Sequence, residues 1–396
     1  MKKPLIHIHA SVALAAAFVV SVPEIRAAGQ QPPAQDPRAQ GQQQPAQGEG
    51  RGGRGGRGGF QGELDDARAR QLYVSTDPKD HSQPNYAAQI EAKKRTDGRF
   101  EQACKGIIDY KKTTYRSSVG DLDIPAYVFQ PLKKRGPKGH AALVWVHGGV
   151  HGDQSADMFP FIREAVDRGY VVIAPDYRGS TGYGETYYQA IDYGGYEVDD
   201  VMSAVEYLKT LPHVDQDRLG VIGWSHGGYI TLFTVFRDVT PFKAAAAIVP
   251  VTNLVFRLSY KGPGYQRDFA TQKRIGGLPF EKPDIYIQRS PLYSVDKLHT
   301  PLLVHVATND TDVNFVEDQQ MVDALRSRKP DLAETKIYVN PPPGRAGGGH
   351  TFSRRVDPDT LERQDTPEQV DSWNRTWAFL EWHLRPYEDR SKAGTK

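Results

Sequence analysis

The stretch "VIGWSHGGYIT", residues 221 to 231, sets Ser225 two positions from a glycine on either side, directly after an apolar run. A serine so placed suits nucleophilic chemistry. On a sharp strand-to-helix turn the backbone is strained and the hydroxyl is lifted clear, and side chains at Gly223 and Gly227 would collide across the turn. Tyr229 to Arg237 read as the helix that such a turn requires. The pattern G-x-S-x-G alone also fits an ordinary glycine-rich turn, so the partners of the serine decide its meaning.

A serine hydroxyl is a weak nucleophile until a base takes its proton, and the base needs a carboxylate to hold its tautomer. With this kind of turn the chain order is serine, acid, histidine. His299, His305, His350 and His383 follow Ser225. His299 precedes an apolar run and His305 lies inside it, with no acid-bearing strand before either, while His383 falls in a closing amphipathic segment. His350, in "GRAGGGHTF" after the last apolar run, is the expected base. The acid belongs on the loop after the run ending at Val306, where "ATNDTDVNF" offers Asp310 and Asp312. Asp310 comes first and is preferred; Asp312 is the alternative. The same loop imitates a calcium site, but Phe315 and Met321 stand where the turn glycine and the terminal glutamate are needed.

Acyl transfer also needs donors aimed at a developing oxyanion. In "VWVHGGVHG" the glycines let backbone N–H groups approach a substrate, and Gly149 with the N–H of His226, the residue after the serine, forms the expected pair. His147 and His151 have the spacing of a helical metal pair, but the two glycines between them oppose a helix and no further ligand cluster accompanies them. No metal and no cofactor is expected.

These residues need a scaffold. "TTYRSSVGDLDIPAYVFQP", 113 to 131, alternates apolar and polar residues around "GD", the signature of an antiparallel hairpin. Strands are expected at Ala141–Val146, Tyr170–Pro175, Leu219–Gly223, Ala244–Val249, Pro301–Val306 and Thr335–Val339. Such apolar runs without alternation suit a parallel sheet covered on both faces. Between them "EVDDVMSAVEYLKTL" puts Val198, Val201, Val205 and Leu208 on one helical face, and "WNRTWAFLEWHL" predicts a closing amphipathic helix. A hairpin followed by β-α-β repeats is the order of an α/β-hydrolase, with a mostly parallel central sheet flanked by helices.

Composition bounds the rest. The net charge of +2 over 396 residues singles out no nucleic-acid or acidic-surface partner. Cys104, the only cysteine, allows neither an internal disulfide nor a cysteine-built metal site. Lys2 and Lys3, the apolar stretch Ala10–Val20 and the small residues Ala27 and Ala28 have the layout of a secretory signal peptide over 1–28. The apolar stretch is shorter than the roughly 20 residues of a spanning helix, so export to the periplasm or the outside is expected, with no membrane span after cleavage. Residues 29–62, rich in Gln, Pro, Gly and Arg, have little to bury and are expected to form a disordered linker. Their Arg-Gly-Gly units resemble RNA-binding tails, but an exported protein rarely meets RNA, and a cationic spacer is expected instead. Residues 63–115 form a short N-terminal extension in this scheme, and 116–390 the catalytic domain.

The stretches "VVIAPDYRGSTGYGETYYQAI", "GGYEVDDVMSAVEYL", "GWSHGGYIT", "SPLYSVDKLHTPLLVHVATNDTDV" and "GGGHTF" together resemble the catalytic domain of the prolyl oligopeptidase family of serine peptidases, from about Tyr115 to Pro386. The resemblance implies a Ser225–Asp310–His350 triad and sets Val251, Leu254 and Val313 near an apolar pocket for the substrate side chain. Full-length members carry a β-propeller before the hydrolase; Glu63 to Tyr115 are too few residues for one. His147 stands where some members have an oxyanion-donating tyrosine, which is more similar to the acylaminoacyl branch. The expected function is an exported serine peptidase acting on short peptides, with a carboxylesterase using the same residues as the alternative and a non-catalytic binding protein as the third.

Overall fold

The structure, a computed structural model, describes residues 84–344 and 347–392. The chain divides into two units, 1–62 and 63–396, and all described residues belong to the second. The expected signal peptide and linker lie outside the described residues.

Among the described residues eight strands form one sheet: β1 (Ile108–Arg116), β2 (Asp123–Pro131), β3 (His140–Val146), β4 (Val171–Pro175), β5 (Val214–Trp224), β6 (Ala244–Ile248), β7 (Leu302–Ala307) and β8 (Ala333–Tyr338). Their order is β1-β2-β4-β3-β5-β6-β7-β8. The β1–β2 hairpin is antiparallel and β2 joins β4 antiparallel; the remaining strands run parallel. This is the α/β-hydrolase fold expected from the sequence. The continuous apolar runs follow from burial on both faces. In β3, Ala142, Val144 and Val146 point into one hydrophobic cluster, while Ala141, Leu143 and Trp145 point into the other.

Among the described residues ten helices cover the sheet or its loops: α1 (Tyr86–Cys104), α2 (Phe159–Asp167), α3 (Glu185–Gln189), α4 (Tyr196–Lys209), α5 (His226–Val235), α6 (Leu254–Tyr260), α7 (Pro263–Ala270), α8 (Pro283–Gln288), α9 (Phe315–Arg328) and α10 (Pro367–Leu384). The stripe Val198, Val201, Val205 and Leu208 of α4 is buried in the first cluster with residues of α5 and α9. In α10, Trp373, Trp377, Leu380 and Leu384 recur at helical spacing and fill the second cluster together with α2. Burying each of those leucines contributes roughly 1.5–3 kcal/mol. Thr366 caps α10 by accepting from the Gln369 N–H.

Residues before Tyr115 are not a separate extension from Tyr86 onward. α1 buries Phe100 and Cys104 in the second cluster, and β1 begins at Ile108, so the expected boundary after residue 115 falls inside a strand. The middle of β1 carries exposed Lys111 and Lys112, so apolar alternation is weak before the hairpin expected from residue 113. Among the described residues no helix is long and apolar enough to cross a membrane.

Candidate active site

Ser225 joins β5 to α5 with φ 56° and ψ −119°. A non-glycine residue held at such a positive φ is strained by roughly 1–3 kcal/mol, and the surrounding turn must hold it there. The Ser225 N–H donates to the Ile248 carbonyl at 3.0 Å, and its own carbonyl accepts from the Tyr229 N–H at 2.9 Å. Backbone crowding explains both flanking glycines. A Cβ on Gly223 would lie 2.2 Å from the Gly227 oxygen, and one on Gly227 would lie 2.3 Å from the Val146 oxygen.

Asp310 follows β7, and His350 lies on the loop after β8. The two loops are stapled by an antiparallel bridge between Asp310 and Gly348, with Thr311 N–H donating to the Gly347 carbonyl and Gly349 N–H to the Asn309 carbonyl. A Cβ on Gly348, whose φ is 58°, would sit 2.3 Å from the Asn309 oxygen, so the "GGG" run is what lets the loops close. The result is a hydrogen bond of 2.7 Å between His350 Nδ1 and Asp310 Oδ2. Asp310 Oδ1 accepts from the N–H groups of Asp312 and Val313 at 2.8 and 2.9 Å, which fixes the carboxylate.

Asp312, the alternative acid, stands on the other side of the ring. Its Oδ2 is 3.7 Å from His350 Nε2, and its carboxylate pairs with Lys261 at 2.6 Å and Arg257 at 3.4 Å. Burial pushes this carboxyl up, but His350, Arg257 and Lys261 outweigh that and hold it down at about 2. Ser225, Asp310 and His350 are all nearly buried at the same end of the sheet. Trp224 and Thr351, chain neighbours of Ser225 and His350, line one cavity of about 170 Å³ with His147, Gly148 and Arg354, and Trp224 Nε1 donates to Ser353 Oγ at 3.3 Å.

The other histidines have different work. His305 is buried, its Nδ1 2.9 Å from Ser372 Oγ, and His299 is exposed. His383 packs edge-on against Phe379 within α10. His147 reaches Ser180 Oγ through Nε2 at 2.9 Å, and His151 reaches the Gly179 carbonyl at 2.7 Å while stacking on Tyr188.

Of the expected oxyanion donors, Gly149 has φ 82°, and its carbonyl accepts from Tyr177 Oη at 2.7 Å. His226 opens α5, so its N–H is one of the helix-terminal donors with no carbonyl partner inside the helix. The ring of His226 is enclosed by Tyr177, Tyr193 and Tyr229, and burial pushes its pKa down to about 3, so it stays neutral. Val251, Leu254 and Val313 are at most 1% exposed and belong to the first hydrophobic cluster, so any pocket they border is closed to solvent in this structure.

Sequence reasoning missed the residues that hold the glycine loop. Tyr177 stacks on His147 with ring centroids 4.2 Å apart; Asp176, fully buried, accepts from Gln154 N–H at 2.6 Å. The signal was the polar cluster "PDYRGSTGY" directly after β4. Glu197 at the start of α4 accepts from the N–H groups of Gly194 and Gly195 and lies 3.6 Å from His226 Nε2. Its burial pushes the carboxyl up to about 8, against the pull of those N–H groups.

Residues 158–354, which span Ser225, Asp310 and His350, match the prolyl oligopeptidase family. The uncharacterized peptidase YuxL of Bacillus subtilis is 30% identical over 253 residues, 63% of this chain and 36% of its own length. Dipeptidyl aminopeptidase BIII of Pseudoxanthomonas mexicana is 31% identical over 191 residues, 47% of this chain and 28% of its own. The chain thus spans about a third of the length of the curated relatives it matches. Among solved structures, the acylaminoacyl peptidase of Pyrococcus horikoshii superposes with a TM-score of 0.58 at 20% identity, covering 78% of this chain and 45% of that one. A Mycobacterium tuberculosis puromycin-hydrolyzing peptidase does so at 0.56 and 26% identity, covering 69% and 40%. With the sheet order, the strained serine turn and this match together, the chain belongs through its catalytic region to the prolyl oligopeptidase family.

Proposed function

We propose that the protein is an exported serine peptidase that cleaves short peptides through an acyl-enzyme on Ser225. The observation that carries this reading is the bond from His350 Nδ1 to the fixed Asp310 carboxylate, at the same sheet end as a serine strained out of its backbone. With its proton on Nδ1, His350 offers Nε2 as a base. Ser225 Oγ attacks the scissile carbonyl carbon while its proton passes to Nε2, and Asp310 stabilises the imidazolium. The N–H groups of Gly149 and His226 receive the negative charge that develops on the carbonyl oxygen. As the C–N bond breaks, the Nε2 proton goes to the leaving amine; water then attacks the acyl group with His350 again as base, and Ser225 regains its proton. No cofactor enters these steps. The ring of His226 is packed among Tyr177, Tyr193 and Tyr229, and burial pushes its pKa down to about 3, so it is a poor proton acceptor.

Peptide substrates are favoured because the relatives are named as peptidases. Export rests on the lysines, apolar stretch and small residues at the amino terminus. A fluorophosphonate probe on the purified protein tests the nucleophile: a single adduct on the peptide carrying Ser225 is expected, absent from Ser225→Ala. No adduct, or one on another serine, would remove the hydrolase reading.

A further inference from the structure

We infer that Lys93, carried on α1 far from the serine in sequence, is a positioning residue for the glycine loop that supplies the oxyanion donor Gly149. This rests on the hydrolase reading above and adds a residue to its machinery. Lys93 is only 2% exposed, although it is a lysine on a largely polar helix. Its Nζ lies 2.6 Å from Asp176 Oδ2 and 3.0 Å from Asp153 Oδ2, and it donates to the Gln154 carbonyl at 3.2 Å. The ammonium also sits 4.9 Å over the Tyr127 ring. A buried ammonium held by two carboxylates and a carbonyl is costly to assemble, and it is retained only where its bonds are well made.

What those bonds connect is the loop between β3 and α2. Asp153 and Gln154 end the glycine stretch that begins at His147. Asp176 is hydrogen-bonded to the Gln154 N–H at 2.6 Å and to Tyr183 Oη at 2.5 Å. Gln154 returns to the end of β3 through its amide, which donates to the Trp145 carbonyl at 2.9 Å. The residue after Asp176 is Tyr177, whose hydroxyl holds the Gly149 carbonyl. Two further ties, Thr181 N–H to the Gly152 carbonyl at 3.1 Å and Gly152 N–H to the Gly149 carbonyl at 3.1 Å, complete the clasp. Lys93 therefore joins both sides of it, the glycine loop through Asp153 and Gln154 and the loop after β4 through Asp176. Without the ammonium, two like charges face each other across the junction and the Gln154 carbonyl loses its donor. The loop end moves, and the Gly149 N–H loses its aim. Oxyanion donors act only within a narrow distance of the developing charge, so small shifts reduce the rate of the bond-making step and leave substrate binding alone.

The test uses the full chain with sites counted by fluorophosphonate titration. Lys93→Met removes the tie, and Lys93→Met with Asp176→Asn removes it without leaving Asp176 as an uncompensated charge, so the double variant decides the matter if the single one does not fold. Expected for the double variant is a fall in kcat per titrated site on the order of 10–100-fold, with KM within about twofold. The inhibition constant of a peptide trifluoromethyl ketone, whose adduct carries the oxyanion, should rise by the same factor. A double variant with unaltered kcat, or one whose loss falls on KM alone, overturns the inference. If the unaltered protein shows no Ser225-dependent turnover, the hydrolase reading falls as well; normal turnover there with an unaffected double variant sinks only the role of Lys93.

Discussion

Replacing Asp310 by asparagine separates the role of the carboxylate from its role in folding. The Asp310 side chain is fully enclosed, with Oδ1 bound to two backbone N–H groups and Oδ2 to His350 Nδ1. Asparagine keeps an oxygen for the two N–H groups, so the loop retains its shape. Its amide nitrogen then faces Nδ1 as a donor, which forces the imidazole proton onto Nε2, the atom that must accept from Ser225. That tautomer is inactive, and in serine hydrolases the corresponding change lowers kcat by about 10⁴. At about 1.36 kcal/mol per tenfold this amounts to roughly 5.4 kcal/mol of transition-state stabilisation. The folding loss is smaller, because one charge-assisted hydrogen bond is exchanged, worth roughly 1.5–3 kcal/mol. Initial rates on a nitrophenyl ester, normalised to titrated sites, and a urea unfolding curve measure the two quantities separately. Asp312→Asn is the comparison: that carboxylate is 41% exposed and touches Nε2 only at 3.7 Å, so its loss should be less than about tenfold. An Asp310→Asn protein within tenfold of the parent, together with an inactive Asp312→Asn, would refute this assignment of the acid.

Two further outcomes follow from buried groups. Glu197 titrates at about 8 in the folded chain against an ordinary 4.5, so between those values the folded state keeps a proton that the unfolded chain has lost. Stability contributed at this site is therefore present below about pH 4.5 and declines as pH rises toward about 8, and Glu197→Gln should flatten that slope in unfolding midpoints measured from pH 5 to 8. Gly227→Ala would drive a Cβ against the Val146 and His147 carbonyl oxygens; a cost of roughly 1–3 kcal/mol in unfolding free energy is expected, with turnover lowered by about 100-fold or more as the serine shifts.

Much of the fold was legible because strands covered on both faces are apolar along their length, as β6 is throughout and β3 is after His140. The α4 stripe was legible for the matching reason, a regular apolar face. α1 was not, because its buried positions are Lys93, Phe100 and Cys104: a lysine on the buried side erases the periodicity that marks an amphipathic helix. β5 starts at Val214, earlier than the apolar run suggests, since Asp215 and Arg218 are buried as an ion pair at 2.8 Å inside the strand. At the site, chain order and loop position single out Ser225, Asp310 and His350, because each stands on a segment that follows a strand: Ser225 directly after β5, Asp310 just after β7 and His350 on the loop after β8. The clasp of Lys93, Asp176 and Tyr177 was hidden, since its members come from elements separated in sequence and their pairing exists only once the sheet has formed. The burial of Val251, Leu254 and Val313 was equally out of reach, because apolar residues near a site read alike whether they line a pocket or fill the core behind it.

The central claim is tested most directly by offering the purified protein blocked short-peptide anilides with an apolar residue before the scissile bond, beside simple acyl esters under the same conditions. An activated ester releases its alcohol with little help, whereas an amide nitrogen leaves only when His350 protonates it. The account predicts anilide cleavage that is abolished in Ser225→Ala and in His350→Ala. Brisk ester hydrolysis with every anilide left intact would contradict the peptidase reading and make the protein a carboxylesterase.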